Sequence, residues 1–183
     1  MLTKFSSCLQ SWATGRNVLV VLAAIVLFVA ITSPLLNVLF PAGEELTSLD
    51  GFAVHTPSEI YSVLDSWGDA GRTYQLWFHL TWDLVFPVLG FLLVGLTVSW
   101  LLQRSFPPTS RLQRLNLVAL GSGFDLLENA FLVAMVLLFP ERSALLSWGK
   151  TVSTVCKYCY GLPLVVILGI GIVKSARNRF RLQ

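Results

Sequence analysis

Charge is scarce in this chain. Lys and Arg number 13 and Asp and Glu number 10 in 183 residues, 13% in all, against 55% hydrophobic residues. Together with a mean hydropathy of +0.70 this excludes an ordinary soluble domain and identifies an integral membrane protein. Tandem repeats, low-complexity tracts and interruptions long enough for a separate core are also missing, so residues 1–183 read as one membrane domain. The formal charge of +3 carries no nucleic-acid signal, because its cations sit in short clusters beside apolar runs, where membrane topology explains them. Phosphate-binding glycine loops, zincin helices and GxSxG elbows are absent, and no cofactor is indicated.

What the chain has in abundance is long apolar runs. Spanning the hydrocarbon takes roughly 20 helical residues at about 1.5 Å rise each. Four stretches qualify, at about 18–40, 74–102, 115–139 and 151–173. They are continuously apolar rather than alternating, which favours helices over barrel strands. The expected fold is all-α: a four-helix transmembrane bundle with a short amphipathic helix in the outer loop, residues 41–73. The first stretch follows Lys4 and Arg16 and contains small residues at Ala30 and Ser33, as a signal peptide would, but it runs on to Phe40 and is read as a retained span.

Lys4 and Arg16, then Arg104, Arg111 and Arg114, then Lys174, Arg177, Arg179 and Arg181 flank these spans on one side, which the positive-inside rule makes cytoplasmic. The expectation is a multi-pass protein of the plasma (inner) membrane with both termini inside, surrounded by lipid, and free to self-associate. The opposite side receives the acidic 41–73 loop and a short connection over Pro140–Lys150.

Within the outer loop, "HTPSEIYSVLDSWG" carries a helix start: Thr56 as N-cap, Pro57 at the first helical position and Glu59 closing a capping box. Ile60, Tyr61, Val63, Leu64 and Trp67 give this helix an apolar side, and Gly68 ends it. Two placements follow, an anchor on the membrane surface or a lid over the bundle mouth. Arg72, just beyond, either reaches to headgroups or pairs with a buried carboxylate. Trp67, Tyr74, Trp77, Phe78 and Trp82 resemble an interfacial aromatic belt.

Polar residues inside the spans carry the chemistry. His79 and Asp83 lie four apart on the second span, Asp125, Glu128 and Asn129 within four residues on the third, and Lys157 on the fourth. At 1.5 Å per residue their depths from the outer end are roughly 10 to 21 Å, one level of the bilayer. A buried charge costs about 2.5–3.5 kcal/mol on insertion scales, so these groups should face one another rather than lipid. Three carboxylates against Lys157 and Arg72 leave the balance to a cation, a proton or a ligand. Three readings follow: a polar clasp between helices, a site for a small or lipidic ligand, and an intramembrane enzyme using acid–base chemistry on a lipid or isoprenoid. His79, Asp83, Asp125 and Glu128 also suit a divalent cation in type, but the paired Glu-x-x-His of di-iron bundles is missing and no metal is assigned.

Cys156 and Cys159 form "CKYC" in the fourth span, a redox dithiol spacing, with Lys157 between them able to favour a thiolate. Four helices, a loop helix after the first and a CxxC in the fourth resemble the vitamin K epoxide reductase architecture. That resemblance implies quinone-linked disulfide chemistry with Cys156 and Cys159 as the redox pair. The family also uses a second cysteine pair in the first outer loop, and residues 41–73 contain no cysteine.

Overall fold

The computed structural model describes residues 1–39, 46–49 and 54–180, without the side chains of Asn37 and Arg179. Glu44, Glu45, Asp50 and Arg181 lie outside the described residues. All regular structure among the described residues is helical, and four helical stretches are long and apolar enough to cross a membrane.

Those stretches are assembled from more pieces than hydropathy suggests. Helix α1 (Leu2–Trp12) precedes α2 (Gly15–Leu39), the first span. The loop helix α3 (Pro57–Ser66) leads into α4 (Gly68–Leu80) and α5 (Trp82–Ser105), which together make the second span. The third begins as a 3-10 helix, η1 (Arg111–Ser122), and continues as α6 (Gly123–Leu138). The fourth is α7 (Ala144–Phe180), which starts seven residues before the apolar run at 151. Residues of η1 recur on one face every third position, and Gln113, Asn116, Ala119 and Ser122 are all buried at that spacing.

The third span (η1 and α6) and α7 form an antiparallel hairpin set by small residues. A Cβ on Gly121 would stand 2.3 Å from the Tyr160 ring, and one on Gly149 would stand 2.5 Å from the Phe131 ring, so both glycines let aromatic rings lie against the opposing backbone. Helix α2 packs mainly on α5 and leaves Leu19, Val26, Ile31 and Val38 exposed to the surroundings. Phe28 stacks on Trp82, whose indole N–H donates to the Thr32 hydroxyl.

The two ends of the bundle differ in charge. Every Asp and Glu lies between residues 44 and 141, with none from 84 to 124. Helix α1, the 105–111 turn and the end of α7 therefore gather at a basic end without side-chain carboxylates, held together by Gln103 Nε2 donating to the Gln10 carbonyl (2.6 Å) and Asn178 Nδ2 to the Arg104 carbonyl (3.0 Å). The N-terminus and the end of α7 at Phe180 belong to this end. The opposite, acidic end is closed by α3.

The capping box forms as the sequence dictates: Thr56 N–H donates to Glu59 Oε2 at 2.7 Å and Glu59 N–H to Thr56 Oγ1 at 3.4 Å. The Thr56 backbone N–H, then its hydroxyl, hold the Glu59 carboxyl below the usual carboxylate range. Gly68 follows with φ +61°, a left-handed conformation that suits glycine. Helix α3 settles between the two placements in favour of the bundle mouth. Ile60, Tyr61, Leu64 and Trp67 are buried with Leu49, Leu132 and Met135 in one apolar cluster. Trp67 belongs to that cluster rather than to an interfacial belt, and its indole N–H donates to the Thr47 carbonyl at 2.9 Å.

Candidate functional site

The second span is interrupted between its two ionisable residues. Thr81 (φ −117°, ψ −75°) separates α4 from α5, with His79 in the last turn of one and Asp83 in the first turn of the other. Helix-end charges suit this order, a proton donor at the carboxyl end and an anion at the amino end. His79 Nδ1 donates to Asp83 Oδ2 at 2.8 Å across the break, and both side chains are buried.

One turn later Pro87 lacks the N–H that would bond the Asp83 carbonyl. Asn129 of α6 takes its place, donating from Nδ2 to that carbonyl at 2.9 Å. The amide thus ties the third span to the interruption in the second, as an unpaired backbone group in a bilayer requires.

A second cluster lies between α6 and α7. Glu128 is 1% exposed and held from three directions. Lys150 Nζ lies 2.9 Å from its Oε1, the Thr154 hydroxyl donates to Oε1 at 2.7 Å, and Lys157 Nζ lies 3.2 Å from Oε2. Lys157 also pairs with Asp125 Oδ1 at 2.5 Å. Lys150, itself 1% exposed, donates in addition to the Leu49 carbonyl at 2.6 Å, so the loop and the buried acid meet at one ammonium.

Burial along this network is graded. The Lys150 and Glu128 side chains are 1% exposed, whereas Asp125 and Lys157, one turn deeper, are 19% and 21% exposed. Leu49, Ile60 and Leu64 are buried in the apolar cluster under α3, and the accessible edge of the network is at Asp125 and Lys157.

Asp83, His79 and Asn129 are therefore gathered at the α4–α5 break, and Asp125, Glu128 and Lys157 at the α6–α7 seam, with Glu128 and Asn129 adjacent in sequence. Arg72 joins neither. It donates to the Leu64 carbonyl at 2.8 Å, pairs with Asp69 and lies 4.0 Å from the centroid of the Phe139 ring, capping α3 instead of meeting a buried carboxylate. Lys150 takes the place that one of the two readings gives to Arg72. Read as the edge of a loop in the sequence, it lies on the same face of α7 as Thr154 and Lys157, at spacings of four and three. Three carboxylates thus face two ammonium groups and one imidazole. Among the described residues, no three His, Cys, Asp or Glu side chains converge as a metal set.

The thiols do not share this cluster's burial: Cys156 is half-buried, Cys159 is exposed and both are free. No protein family, curated protein or solved structure matches the chain, and the likeness to vitamin K epoxide reductases rests on the helix count, the loop helix and the CxxC.

Proposed function

We propose that this chain is a multi-pass plasma-membrane protein, basic end in the cytoplasm, that binds a small lipidic ligand at the Asp125–Lys157 edge. The graded exposure of one continuous charge network supports this reading. A purely structural clasp has no need of an accessible end, and here the sealed half (Glu128, Lys150, Thr154) holds the open half in place. Because α3 and Leu49 fill the outer mouth, the ligand enters sideways from the bilayer, which selects an amphiphile over a water-soluble solute. Asp125 accepts and Lys157 donates, so its polar group is one that does both, such as a hydroxyl or amide.

A second reading has its own observation. The acids are matched by Lys150, Lys157 and His79 without any ligand, as expected of a polar clasp in a membrane subunit. Native mass spectrometry of protein purified in mild detergent separates the two. Ligand binding predicts a retained amphiphile that Asp125→Asn and Lys157→Met lose while thermal stability falls only modestly. A clasp predicts no retained species and a large stability loss for either variant.

A further inference from the structure

The basic end carries a polar cavity of about 160 Å³ between α1 and the start of η1. Its walls include Ser6, Gln10, Ser110, Arg111, Gln113 and Arg114. We infer that this cavity binds the phosphate of an anionic, hydroxyl-bearing lipid headgroup, with Arg111 and Arg114 on the phosphate and Gln113 on a headgroup hydroxyl.

Two observations carry this independently of each other. The first is charge. Arg111 and Arg114 lie on the wall of the cavity, and the basic end offers no Asp or Glu to pair with either, since none occurs before residue 44, between 84 and 124, or after 141. An anion from outside the chain is the natural counter-charge, and guanidinium matches phosphate bidentately. The amino end of η1, where Ser110 accepts from the Leu112 N–H, adds donors of the same polarity.

The second is an unpartnered acceptor. Gln113 is 5% exposed, and its amide orientation is fixed because Nε2 donates to the carbonyls of Leu102 (3.2 Å) and Phe106 (3.0 Å). That leaves Oε1 buried with no hydrogen-bond partner among the described residues. An ionised phosphate diester has no donor of its own for it, whereas a hydroxyl on the headgroup beside the diester does.

The surroundings favour a lipid over free phosphate. Leu2, Phe5 and Trp12 on α1 and Leu112 and Leu115 on η1 are exposed beside the polar wall, so the cavity lies where headgroups meet acyl chains. Helix α1 is docked for this purpose by buried polar contacts: Asn116 Nδ2 donates to the Ser6 carbonyl at 3.0 Å, the Ser6 hydroxyl to Asn116 Oδ1 at 2.7 Å, and Gln10 Nε2 to the Gln113 carbonyl at 3.0 Å.

The test is titration of the full-length protein in neutral detergent with short-chain phosphatidylglycerol, short-chain phosphatidylcholine and inorganic phosphate, read by native mass spectrometry and thermal shift. Phosphatidylglycerol should bind about tenfold or more tightly than either other probe. Arg111→Gln with Arg114→Gln should remove that preference while leaving the melting temperature without lipid unchanged. Lys174→Gln with Arg177→Gln, equal in charge loss but away from the cavity, should preserve it. Equal binding of phosphatidylcholine, equal binding of inorganic phosphate, or equal loss in the two double variants would each overturn the inference.

Discussion

The side-chain amide of Asn129 donates to the Asp83 carbonyl, the group that Pro87 deprives of its helical N–H. Proline in one span and asparagine in another are thus two halves of one arrangement. Replacing Asn129 by Leu should cost about 0.6–2 kcal/mol, and much of that loss should vanish in a Pro87→Ala background, where residue 87 supplies the N–H. A double-mutant cycle on unfolding in mixed micelles measures the coupling, and additive costs would contradict it.

Glu128 and Lys150 should show the asymmetry of a buried pair. Either Glu128→Gln or Lys150→Met alone should destabilise by about 3–5 kcal/mol, because the remaining charge loses its partner. The two together should cost less than the sum of the singles. Lys150→Met should also loosen the loop at Leu49, seen as faster hydrogen exchange at residues 46–49.

The close approach of η1 and α7 predicts position-specific glycine effects. Gly121→Ala must displace the Tyr160 ring and should cost about 1–3 kcal/mol. Gly169→Ala on α7 meets nothing within 4 Å and should be neutral or stabilising by about 0.5–1 kcal/mol from helix propensity. Thermal unfolding of both variants in one detergent checks the contrast.

Acid should release the lid locally. The Glu59 carboxyl is held below the usual range when α3 is capped, so its contribution is complete above the ordinary carboxylate pKa and is lost as pH falls through the lowered value. Protection factors at residues 57–66, which correct each exchange rate for the slower intrinsic exchange at low pH, should therefore fall as pH drops in the wild type. Thr56→Ala should show weaker protection already at neutral pH, by about 0.5–2 kcal/mol.

The spans were legible because continuous apolar runs of that length have few other uses, and α3 because Thr56, Pro57, Glu59 and Gly68 each have a fixed mechanical role. Asp83, Asp125, Glu128 and Asn129 were legible from cost alone, since none of them could sit against lipid. Lys150 was not. Ser147 and Gly149 dilute hydropathy in the first turns of α7, so the apolar window opens only at 151 and strands Lys150 outside it, although its spacing to Thr154 and Lys157 is present in the sequence. Helix α1 is too short to register as a span. The 3-10 start of the third span showed only as small or polar residues every third position from Gln113 to Ser122. Arg72 misled because sequence proximity to a buried cluster says nothing of the Leu64 carbonyl and Phe139 ring that claim it.

The most direct test of the central claim, that the Asp125–Lys157 edge is a binding edge held by a sealed Glu128–Lys150 core, is native mass spectrometry of the wild type beside Asp125→Asn. A retained amphiphile in the wild type that disappears in a still-folded Asp125→Asn protein is the predicted result. A wild type that retains nothing at this edge, or a variant that retains the same species, would contradict it.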